Sequence, residues 1–73
     1  MFTEKDFTDF KINYNNVFND DGSVKACGRT ATKQLILACV KINPYENFGD
    51  SLTGFMNVQN IQNLYKHILH DPN

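Results

Sequence analysis

Residues 23–43, SVKACGRTATKQLILACVKIN, decide how this chain folds. On a helical wheel with Lys25 at zero, Cys27, Ala38, Ala31, Val24, Ile42 and Leu35 fall between about 200° and 280°. That apolar stripe runs unbroken over about five turns, the pattern of a helix packed on a core. Lys25, Arg29 and Lys33 lie opposite, between about 0° and 80°, and Ile36 and Val40 continue that side. The stretch therefore reads as one long central helix over 24–42. Ser23 is its expected cap, and Asn43-Pro44 its end, because proline pushes the preceding residue out of the α region. The second half is apolar nearly all round, which puts Leu35 to Val40 in the middle of the core. Gly28 is the weak point, since glycine inside a helix costs about 1 kcal/mol against alanine. One rival reading starts the helix at Thr30 and leaves Val24–Cys27 extended; another takes QLILACVKI as a buried strand. The unbroken stripe favours the long helix.

Upstream, Thr3 with Asp6 makes a variant capping box, a carboxylate at the third helical position. Phe7, Phe10, Tyr14, Val17 and Phe18 follow within about 100° of one another, so a helix is expected over 4–18. Its acids stand in the first turns, where the helix dipole favours them. Four aromatics on one stripe are the core of a small domain rather than a ligand ladder. Asn19-Asp20-Asp21-Gly22 is a turn, with Gly22 available for positive φ; the later ligands of a calcium loop are missing.

Downstream, Pro44–Asp50 (PYENFGD) is a loop holding two rings, Tyr45 and Phe48, which either lid the core or face a partner. Ser51–Met56 (SLTGFM) is ambiguous between a helical turn and a short strand. Asn57 offers a cap, and Val58, Ile61, Leu64, Tyr65, Ile68 and Leu69 give a third amphipathic helix, over 58–70. The expected fold is all-α: a single small domain over 1–73, three helices packed on the long central one.

Size and composition narrow the function. A 73-residue chain has room for one domain, and its stability is marginal unless something adds to it. Cys27 and Cys39, placed on one helix, would stand about 18 Å apart, far beyond disulfide reach. Two free thiols, no signal peptide and no long apolar run point to the cytoplasm. The net charge of -1 hides a division: residues 23–42 carry Lys25, Arg29, Lys33 and Lys41 with no acid, while most acids precede them. Asn, Lys, Ile, Phe and Tyr fill 30 of the 73 positions, and all five use AT-rich codons. That composition suits a low-GC bacterium, a phage or another mobile element.

Catalytic chemistry finds little support. His67 and His70, with Asp71 beside them, lack the third and fourth ligands of a stable metal site and suit the negative end of a helix dipole. Cys39 lies among apolar neighbours and should be inert; Cys27, beside Lys25 and Arg29, has no positioned base. CGRTATK lacks the second glycine and spacing of a nucleotide-binding loop. The expectation is no enzyme, no metal and no cofactor. A nucleic-acid reading rests on Lys25, Arg29 and Lys33 following a phosphate backbone, a weak footprint at pI ≈ 6.0. The favoured reading is a protein that acts by contact, an inhibitor or adapter encoded by a phage or mobile element and directed at a host protein. Its expected partner-binding residues are Lys25, Arg29, Lys33, Ile36, Val40, Tyr45 and Phe48. A homodimer would relieve the small core.

Overall fold

The computed structural model describes residues 3–26 and 28–70, with the backbone alone at 69 and 70. Three helices and one small hairpin follow in order among the described residues: α1 (Glu4–Val17), α2 (Arg29–Ile42), β1 (Gly49–Asp50), β2 (Phe55–Met56) and α3 (Val58–His70). The chain is mostly helical, and α2 packs against α1, the hairpin and α3.

α1 starts as its sequence demands. The Asp6 N–H donates to Thr3 Oγ1, and the Thr3 N–H donates to Asp6 Oδ2 at 2.9 Å, a reciprocal capping box. Phe10, Tyr14, Val17 and Phe18 are buried, and Phe7 is half-buried. Tyr14 stacks on Tyr65 of α3 with ring centroids 3.8 Å apart and on Phe18 at 4.5 Å, while Phe10 meets Tyr14 edge-on at 6.0 Å. The aromatic stripe is thus the joint between α1 and α3.

The long central helix is corrected. α2 begins at Arg29, with Gly28 as a cap that offers no side-chain hydrogen bond. Glycine costs nothing special at a cap, which removes the mid-helix penalty. Residues 17–25 instead fold back on themselves. Val24 pairs with Phe18 in an antiparallel bridge, the Asn19 N–H donates to the Ser23 carbonyl, and the Lys25 N–H donates to the Val17 carbonyl. Gly22 takes positive φ in the turn between them, and Ser23 does not cap α2: its hydroxyl donates to Asp21 Oδ1 at 2.6 Å. Of the rival extended reading, Val24 holds a bridge, Lys25 has no regular structure and Ala26 is a bend; Cys27 lies outside the described residues.

Counting about 100° per residue from Arg29, the buried or half-buried Ala31, Thr32, Leu35, Ile36, Ala38, Cys39 and Ile42 occupy about 180° to 340°. Leu35 and Cys39 are fully buried. The loop after α2 ends in the β1–β2 hairpin, Gly49 opposite Met56 and Asp50 opposite Phe55, so 51–56 holds a turn and a strand rather than a helical turn. Phe48 enters the core just before β1, and its carbonyl accepts the Asn57 N–H at the start of α3. α3 buries Ile61 and is tied down by Gln62 Nε2 donating to the Gly22 carbonyl and Asn60 Nδ2 donating to the Asn47 carbonyl. No helix among the described residues is long and apolar enough to cross a membrane.

Candidate interaction surface

The seven residues expected to bind a partner separate into three groups. Lys25 leaves the surface strip because it is not on α2. Its ammonium donates to the Asn15 carbonyl at 2.8 Å, in the last turn of α1. There it satisfies a helix-end carbonyl and places positive charge at the negative end of the dipole. Lys25, Arg29 and Lys33 therefore do not form a continuous helical track.

Ile36 and Phe48 are each only 2% exposed, so neither faces a partner: Phe48 lids the core, and Ile36 takes the core place expected for 35–40. Ile36 stands at the edge of the buried arc beside Thr32, a residue the wheel reading passed over, and the pair widens the covered side of α2.

Arg29, Lys33, Val40 and Tyr45 stay at the surface, Lys33 half-buried. From Arg29 at zero, Lys33, Leu37 and Val40 lie at about 40°, 80° and 20°, one strip of outer surface along α2. Leu37 is 46% and Val40 39% exposed, and Tyr45, just past the C-terminal end, is 96% exposed. At the other end the strip meets the hairpin turn. A Cβ on Gly54 would stand 2.8 Å from Arg29 Cγ and 3.5 Å from Cδ, so the arginine stem lies across that turn. Leu52 and Phe55, on either side of it, are 83% and 66% exposed. The expected core centre over 35–40 is thus corrected at Leu37 and Val40, which α2 turns outward because nothing among the described residues packs on that side; Leu52 and Phe55 carried no periodic signal.

The potentially reactive groups are turned to structure. Burial pushes the Cys39 thiol up from 9.0 to about 12, which keeps it neutral and unreactive. Burial, then the neighbouring Tyr65, raises Tyr14. The hydroxyl and N–H of Ser23 hold the Asp21 carboxyl below the usual carboxylate range. An open cleft of about 260 Å³ is lined by Asn15, Phe18, Asn19, Asp20 and Lys25, but Lys25 is engaged with Asn15 and the Asn19 amide with Ser23 Oγ. Among the described residues no three His, Cys, Asp or Glu side chains could hold a metal ion together. His67 is exposed on α3.

The Cys39 shift has a sign that can be checked. A thiol whose folded pKa lies above its unfolded value stabilises the fold fully below about pH 9, and that contribution is lost as pH rises towards 12. Between pH 9 and 10.5 the unfolding free energy should fall by about 1 kcal/mol per pH unit from this one proton. Cys39→Ala should show a slope shallower by that amount in urea titrations; equal slopes would mean that the thiol is not held neutral. In native protein Cys39 should also resist a thiol reagent until denaturant is added.

No protein-family model matches the chain, and no curated protein or solved structure matches it.

Proposed function

We propose that this is a non-enzymatic protein that acts by contact with another protein, as an inhibitor or adapter, through the outer face of α2. The observation that supports it is the composition of one strip: Arg29 and Lys33 continue into the exposed Leu37 and Val40, with exposed Tyr45, Leu52 and Phe55 at its ends. Exposed apolar groups beside an arginine are the usual make-up of an interface hot spot. The AT-rich composition adds a source, a phage or mobile element, and with it the concrete form of an inhibitor of a host protein. The nucleic-acid reading loses ground because Lys25, the first of its three cations, is spent on α1.

Arg29→Glu tests the two readings together. The reversal should remove one specific protein from a pull-down while leaving the helical circular dichroism unchanged, at a cost to that complex of about 2 kcal/mol or more. Binding to random duplex and single-stranded DNA is measured beside it at two salt concentrations. DNA binding that falls steeply with salt and is lost in Arg29→Glu would overturn the contact reading.

A further inference from the structure

We infer that the partner presents an acidic amphipathic helix, laid along the Arg29–Val40 strip. This rests on the contact reading above and names the chemistry of what is bound. α2 carries Arg29, Lys33 and Lys41 and no acid over its whole length. Among the described residues none of the three cations has an ion-pair partner. Lys25 shows the contrast, since its ammonium is already occupied by a carbonyl. Uncompensated cations on one face favour a surface of the opposite sign, and here they share that face with aliphatic groups.

The spacing specifies the form. At 1.5 Å rise per residue, Arg29 and Lys33 stand about 6 Å apart along the axis, and Val40 lies about 16 Å from Arg29. Carboxylates one turn apart on a facing helix match the first interval. Apolar side chains one to two turns further on match Leu37 and Val40. A helix of about three to four turns covers the strip and reaches either Tyr45 or the hairpin turn.

Two other occupants fit less well. A phosphate backbone gains nothing from the exposed Leu37 and Val40, which make up half of the strip. A second copy packed strip on strip, antiparallel about the middle of α2, sets Lys33 against Leu37 and Arg29 against Val40. No carboxylate then meets a cation, and charge is placed on apolar surface.

The test uses the full chain, labelled with ¹⁵N, and four probes. One is a designed helix of about 14 residues with glutamates at i, i+4 in one half and leucines in the other. The second has lysines for the glutamates, the third has alanines for the leucines, and the fourth is a single-stranded oligonucleotide. The acidic amphipathic peptide should shift the amide signals of residues 29–41 and 52–55 and bind at least about tenfold more tightly than the other probes. Lys33→Glu should weaken it about tenfold and strengthen the lysine peptide, with Lys33→Gln intermediate. If the lysine peptide or the oligonucleotide shifts the strip instead, the partner's chemistry is wrong while the surface stands. If the acidic peptide shifts only α3 or α1, or nothing at about 1 mM, the surface itself is wrong. Concentration-dependent broadening of the strip without any probe would assign it to a second copy.

Discussion

Leu35→Ala should cost about 2–5 kcal/mol, because it removes a fully buried side chain from the middle of the core. Leu35 sits in the cluster formed by Phe10, Val17, Phe18, Cys39, Phe48 and Ile61, which draws on all three helices and the segment before the hairpin. The neighbours are large and held from several sides, so the cavity cannot simply close. Stabilities of small domains begin at about 5 kcal/mol, so the variant should be partly or wholly unfolded at room temperature. Leu37→Ala is the matched control, the same change two residues along on the outer strip, and should stay within about 0.5 kcal/mol of the parent. Urea titrations followed by helical circular dichroism read both, the midpoint moving at constant slope. A Leu35→Ala midpoint equal to that of Leu37→Ala would misplace the buried face of α2. Leu37→Ala should at the same time weaken the complex that Arg29→Glu disrupts, which separates folding from contact on one helix.

How much of this was legible depends on whether the physical cause was local. α1 was readable because everything that makes it is within four residues: the Thr3–Asp6 box, the acids of its first turn and the repeating aromatics. Leu35 was readable because it lies on the apolar stripe, and Cys39 because its neighbours in sequence are apolar. The start of α2 was not, since Val24 and Ala31 share a wheel position by coincidence. Val24 is committed to Phe18, a residue six positions upstream, and Gly28 marked the true boundary. Periodicity alone could not weigh a cap against a stripe. Tyr45 and Phe48 show the same limit for the surface. They stand three residues apart in one loop, yet one ring is exposed and the other buried. What separates them is that Phe48 joins the core cluster beside β1, where its carbonyl accepts the Asn57 N–H, a pairing that helical or strand periodicity does not report. The strip proposed to bind a partner was half legible: its cations and Val40 came from the wheel, its hairpin end only from the fold.

Gly49→Ala should destabilise by more than about 2 kcal/mol, the sum of backbone strain and steric overlap. Gly49 has φ +118, in the region that L-residues with side chains rarely adopt. A Cβ there would lie 2.6 Å from the Cα of Met56 and within overlap of the Phe55 backbone. Both belong to the paired strand, so no side-chain rotation can make room. Relief requires the β1–β2 pair to separate, and the consequence spreads in two directions. Phe48 is the preceding residue, so its place in the core is disturbed. The Phe55–Gly54 end of the hairpin carries the stem of Arg29, so the interaction strip loses one end. Gly28→Ala is the comparison, because Gly28 has φ -79 and nothing within 4 Å of the added carbon. Its cost should be about 0.5–1 kcal/mol, the preference for glycine over alanine at a cap. In thermal unfolding Gly49→Ala should therefore melt about 10 °C or more below the parent, and Gly28→Ala within a few degrees of it. Equal melting of the two variants would mean that the hairpin does not close against Gly49. A fall confined to Gly49→Ala, with the acidic-peptide affinity also reduced, would tie the hairpin to both the core and the contact surface.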